Sequence, residues 1–503
     1  MKHLCILCMV LAVSTGCSGR YFGPVPGQEA ARPHVVQVGW DGNFYEIPDQ
    51  IPDSQGGPPA DQPINSMSGY ERTSNCGPKA ESFGGECQMV EQKRIQRDAF
   101  DTITNRIDGY SEIDSEGYKH VLIYIHGGLN MRSTSFKRVV KQMTPILTTG
   151  KYPVFINWRS GAVTCLKDHY FRIRDGEISP EAPGTSPVYI VGDLFKVIGN
   201  APMAWWKEGQ TSFKSTAGRN DSFVPKDAGK YENVLFQGDD EKFQKTYRSL
   251  WWILTSPLKL VVTPFTFTLG KPAWDNMKRR VHTQFIRPGD LSHAEVPALV
   301  PTEELTPGGE GATLAFLRHL NEHIVSNNQK IRLTLVGHSM GGIIVNRILT
   351  HFPELPVENI VYMASADNLQ NFIDATVPFV YKGQNNPTGR AVRVYSLHLH
   401  PENEDREVSA VGAAPSGSLL VWIDHSYEEP EYTLQRTAGR WYNMRQVFNL
   451  IPSDIRTAYR FKVFGRSERP CFSPQKHGAF DDSFFPFWDE SFWWRGADHY
   501  CQE

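Results

Sequence analysis

Cysteine is scarce, with eight among 503 residues, and the one Cys-x-x-Cys pair, Cys5 and Cys8, lies in the apolar start of the chain. That spacing does not recur, so nothing supports a structural zinc site, and neither a metal nor an organic cofactor is expected. Charge of one sign is not in excess: 52 Lys and Arg face 55 Asp and Glu. This removes nucleic acid as a general partner. Internal repeats are also absent, which argues against a solenoid. The longest apolar stretch, Leu250–Leu269, has the length of a bilayer span, but Pro257 and Pro264 break it and Lys259 sits inside it. A buried hairpin or an interfacial helix pair is expected there, not a true span.

Aromatic residues are abundant instead, with 28 Phe, 19 Tyr and 12 Trp. They supply a large core, or in part an apolar substrate or membrane surface. Met1-Lys2-His3, then Leu4–Val13, then Ser14-Thr15-Gly16-Cys17 has the layout of an export signal. The last four residues resemble the lipobox of bacterial lipoproteins, with Ser14 where Leu is usual. The resemblance implies cleavage of residues 1–17 before Cys17, lipidation of Cys17 and an outer-membrane address. A lipid on Cys17 would tether the protein to a membrane without a spanning helix. Cysteine placement agrees with an oxidising compartment: Cys76 with Cys87, and Cys471 with Cys501, could pair, leaving Cys165 unpaired.

Residues 18–115 read as a tether and irregular segment, with one strand at His34–Trp40 and helical character over 89–108. From residue 116 the pattern changes to buried-strand runs alternating with helices: Val121–Ile125, Val154–Trp158, Arg332–Val336, Asn359–Ala364, Ala391–Leu399 and Tyr459–Phe464. Such alternation specifies an α/β fold with a doubly wound, mainly parallel sheet. Residues 160–310 interrupt it and read as a cap or lid insertion above the sheet. Gly417–Asp424 reads as a further strand.

The strongest motif is Gly337-His338-Ser339-Met340-Gly341, after the apolar run Ile331–Val336 and before Gly342–Val345. A nucleophilic serine on a sharp strand-to-helix turn needs small residues on both sides, because side chains there would collide. The following helix points amide hydrogens at developing negative charge. With this context, residues 119–160 and 312–480 resemble the α/β-hydrolase superfamily, and within it bacterial esterases and lipases. The resemblance implies oxyanion donors from the amides of Met340 and of Gly128, in His126-Gly127-Gly128-Leu129.

The resemblance also implies a histidine after the final strand, and His477 in Lys476–Phe480 is the choice, ahead of His499. His425 precedes that strand, and His338 has a positioning place beside the nucleophile. The acid should follow the preceding strand, where Glu402, Glu404 and Asp405 compete. Asp405 is favoured, and Asp367 occupies an earlier position used by some lipases. Arg436 and Arg440 could meet an anionic head group or, more simply, nearby Glu side chains. The implied activity is hydrolysis of a carboxylic ester, lipid-like given the tether and the aromatic insertion. A thioesterase, an acyltransferase or a non-catalytic envelope lipoprotein would keep much of the same pattern. The sequence does not fix the oligomeric state.

Overall fold

The computed structural model describes residues 28–39, 42–44, 84–130, 132–174, 177–179, 181–217, 232–237, 246–286, 310–384, 391–407, 415–465, 473–482 and 485–494. Ten strands are found: β1 (Val35–Val38), β2 (Lys119–Ile125), β3 (Lys151–Trp158), β4 (Ile173–Arg174), β5 (Glu177–Ile178), β6 (Val234–Gln237), β7 (Ile331–His338), β8 (Val357–Met363), β9 (Arg393–Leu399) and β10 (Tyr459–Phe464). The principal helices are α1 (Gly84–Asp108), α2 (Arg132–Leu147), α3 (Ala162–Phe171), α4 (Ala182–Ala217), α5 (Thr246–Thr283), α6 (Ala312–Ser326), α7 (Gly341–His351), α8 (Leu369–Gln384) and α9 (Pro401–Arg406).

Eight strands form one sheet in the order β1-β3-β2-β7-β8-β9-β10-β6. Every pairing in it is parallel. Parallel strands are covered by helices on both faces and so lack polar alternation. That is why β2 and β3 read as unbroken apolar runs, and why Val121–Ile125 and Val154–Trp158 are buried throughout. The chain leaves β2 toward β3 on one side and returns to β7 on the other, with Ile125 opposite Gly337. The order reverses there, so the loops after β2 and β7 diverge into a crevice at the carboxyl ends of the strands. His126–Leu129 and Ser339 occupy those two loops.

Three expectations are corrected. The stretch Thr246–Thr283 is a single helix running through Pro257 and Pro264, and no described helix is long and apolar enough to cross a membrane. Gly417–Asp424 is not a strand: Leu419–Trp422 is helical and continues into a π turn at Ile423–Tyr427. An apolar run that short does not distinguish the two states. The region 160–310 does not lie wholly outside the sheet, because Val234–Gln237 within it is the edge strand beside β10. Cys165 is a buried free thiol. Cys17, Cys76, Cys471, Cys501 and His499 lie outside the described residues, and so do the proposed disulfides.

Candidate active site

Ser339 has φ +52°, a left-handed conformation that non-glycine residues rarely adopt and that marks a strained, functional turn. Its amide donates to Met363 O (2.9 Å), and its carbonyl accepts from Ala366 N (2.9 Å) and Gly342 N (3.0 Å). These bonds hold the turn from both sides. The flanking glycines are required by space. A Cβ on Gly341 would lie 2.2 Å from Ile125 O, and one on Gly337 would lie 2.8 Å from the Gly341 carbonyl.

His477 opens a 3-10 turn, His477–Ala479, beyond β10, and its Nε2 is 2.9 Å from Ser339 Oγ. Both residues are buried. Burial, with His338 adding to it, pushes the His477 ring down to about 3. The imidazole is therefore neutral near pH 7 and able to accept the serine proton. Two further contacts position it: its N–H donates to Glu407 Oε2 at 2.8 Å, and its C=O accepts from His338 Nε2 at 3.0 Å. Its Nδ1 is buried and has no hydrogen-bond partner among the described residues.

The Gly127 carbonyl accepts from three side chains: His126 Nδ1 (2.7 Å), Asn130 Nδ2 (2.9 Å) and Ser160 Oγ (3.2 Å). Trp158 N–H donates to His126 Nε2 at 3.2 Å, which leaves the ring proton on Nδ1 for Gly127. In a trans peptide the C=O and the following N–H point in opposite directions. Pinning the Gly127 carbonyl therefore aims the Gly128 N–H away from those three donors. The loop is tight against the nucleophile, since a Cβ on Gly127 would lie 2.8 Å from Ser339 Cβ. Among the described residues, neither the Gly128 nor the Met340 amide has a hydrogen-bond partner. Asn130→Ala is expected to lower kcat about tenfold with KM little changed, as loss of a support for one oxyanion donor. Steady-state kinetics with activity within twofold of the parent would remove Asn130 from that role.

The structure does not bring Asp405, Glu404, Glu402 or Asp367 to His477. Arg440 explains two of these. Its buried guanidinium binds Glu404 (3.1 Å), Asp405 (3.2 Å) and Asp424 (2.9 Å). Burial pushes the Glu404 carboxyl up to about 8 against the pull of Arg440. Glu402 sits in the first turn of α9, its N–H donating to His400 Nδ1. Asp367 accepts from Asn346 Nδ2 (2.6 Å) and Asn371 Nδ2 (2.8 Å). Arg440→Met should leave three buried carboxylates uncompensated and cost about 3–5 kcal/mol in urea unfolding. A loss below about 1 kcal/mol would mean that water or another cation compensates them.

Two carboxylates at the site were missed in the sequence. Glu407 follows Asp405 in the same loop, and it alone bonds His477. Asp481, four residues after His477, accepts from Tyr124 OH (2.5 Å) and Arg138 Nη1 (2.8 Å), with His338 Nδ1 at 3.2 Å. Burial alone would raise its carboxyl, but His338, Arg138 and Tyr124 hold it well below the usual range. Asp481 thus fastens the His477 loop to β2, α2 and the serine turn. Its spacing after His477 was the only available signal, and spacing alone does not separate it from an ordinary solvated loop acid.

Fold and site together define an α/β protein with an all-parallel eight-stranded sheet and a serine–histidine pair at the sheet's switch point. The chain matches no family model, no curated protein and no solved structure at a significant level. Among the described residues, no cluster of His, Cys, Asp or Glu could hold a metal ion.

Proposed function

We propose that the protein is a serine hydrolase of the α/β-hydrolase type that cleaves a carboxylic ester through an acyl-enzyme on Ser339. The observation that carries this reading is the 2.9 Å contact between Ser339 Oγ and His477 Nε2 on a turn with φ +52°. His477 takes the serine proton as Oγ bonds to the ester carbonyl carbon. The amides of Met340 and Gly128 receive the oxyanion. The imidazolium then protonates the departing alkoxide, leaving the acyl group on Ser339. Water, losing its proton to the same imidazole, releases the acid and restores the serine.

The unpartnered Nδ1 requires an acceptor to fix the tautomer that places the free lone pair on Nε2. Glu407 is assigned that role, because it lies in the loop after β9 and already binds the backbone of His477. Export and anchoring through Cys17 complete the reading and place the enzyme at a bacterial envelope membrane, where a lipid-like ester is the matching substrate.

A fluorophosphonate probe tests the activity. It should label the purified protein at Ser339. Absence of labelling would refute the hydrolase reading, and a series of esters of increasing acyl length then reports the substrate class.

A further inference from the structure

Helix α4 is inside out. Its buried residues include Ser186, Asp193, Glu208 and Thr211, while Val188, Phe195, Ile198 and Trp206 are 72%, 70%, 71% and 65% exposed. Val191, Leu194, Met203 and Trp205 continue the exposed face. Lys196 is the single exposed charge between Val188 and Trp206, with Asn200 the other exposed hydrogen-bonding side chain. A water-soluble surface helix has the opposite pattern, apolar inward and polar outward.

Helix α5, packed against α4, repeats the inversion. Lys259 is buried and pairs with Glu208 at 3.1 Å, and Thr263 is buried, while Leu260 and Val261 are exposed. Charged groups that face the interior and pair with one another, under an apolar exterior, match the arrangement of helices in lipid.

A backbone detail points the same way. Pro264 has no N–H, so the Leu260 carbonyl loses its helical donor. In water, solvent would fill that vacancy. Here Trp205 Nε1 donates to Leu260 O at 2.8 Å. Satisfying the backbone internally is the requirement that a hydrocarbon environment imposes.

From these observations we infer that the outer face of α4, with Leu260 and Val261 of α5, docks into the outer layer of a phospholipid bilayer without crossing it. From Val188 to Trp206 the helix rises about 27 Å at 1.5 Å per residue, a long contact for a helix lying in the interface plane. Lys196 reaches toward anionic head groups, and Trp205 and Trp206 suit the interfacial zone. The same helix α5 carries Met277, whose Sδ would be 3.4 Å from a Cβ on Gly128. Docking therefore places the bilayer next to the oxyanion loop and makes a membrane lipid the ester delivered to Ser339. The substrate clause rests on the hydrolase reading, whereas the docking surface does not.

The test uses the chain from Ser18 onward, without the leader or Cys17, and vesicles of phosphatidylethanolamine and phosphatidylglycerol. This protein should float with the vesicles. The combined variant Phe195→Gln, Ile198→Gln, Trp206→Gln should bind about a hundredfold more weakly while fluorophosphonate labelling of Ser339 is unchanged. Brominated phospholipid should quench tryptophan fluorescence of the parent, a readout independent of the variant. Absence of both flotation and quenching, or equal flotation of the variant, overturns the inference. So does a dimer that forms without lipid and is lost in the variant, because the face then belongs to a second copy. Failure of labelling in both proteins refutes the hydrolase reading and leaves the flotation result to decide the surface.

Discussion

Ser339→Ala should abolish fluorophosphonate labelling and lower ester turnover by about a millionfold, with thermal stability close to that of the parent. The size follows from what is lost. Without Oγ there is no covalent route, and the neutral His477 at 2.9 Å has no proton to take. What survives is the pair of amides at Met340 and Gly128 acting on a water attack, a residue of about a thousandfold over solution. His477→Ala should cost nearly as much as Ser339→Ala, and the double variant little more than either, because the two act as one unit. Stability is expected to hold because the turn is fixed through its backbone, by Met363 O, Ala366 N and Gly342 N, and these bonds do not depend on the hydroxyl. Labelling that persists in Ser339→Ala would place the reactive nucleophile elsewhere.

The parts of the molecule that could be read in advance are those governed by local pattern. The runs Val121–Ile125 and Tyr459–Phe464 are buried along their length, and continuous apolarity is the signature of a strand covered on both faces. The serine turn was legible because steric constraint dictates glycine at fixed offsets. The misses have a common cause in contacts distant along the chain. Val234–Gln237 is a four-residue strand whose only support is its pairing with β10. Helix α5 continues past Pro264 because Trp205, on another helix, takes over the orphaned carbonyl. The acid was misjudged for the same reason. Asp405, Glu404 and Glu407 share one loop and one chemistry, and only the position of Arg440 separates them. That guanidinium holds Asp405 and Glu404, and leaves Glu407 facing His477.

Glu407→Gln should lower kcat about a thousandfold with KM nearly unchanged, since removing the acid of such a triad costs up to about ten-thousandfold. Glutamine keeps the shape and can still accept from the His477 N–H. The substitution therefore tests charge and tautomer rather than packing. Asp405→Asn should instead change turnover less than threefold and lower stability through Arg440. The acid limb of the rate profile adds a readout that a structural role would not move. Burial alone holds the His477 ring near about 3, and burial also pushes the Glu407 carboxyl up. Once Glu407 is ionised it favours the imidazolium, so the parent's limb should belong to the coupled pair and lie above the value that burial alone sets. Below that limb His477 is protonated and cannot act as base; above it the base form is present and activity is full. In Glu407→Gln the attraction is gone, and the limb of the residual activity should move to lower pH. An unchanged limb, or a thousandfold loss on Asp405→Asn instead, would return the role of acid to the Arg440 cluster.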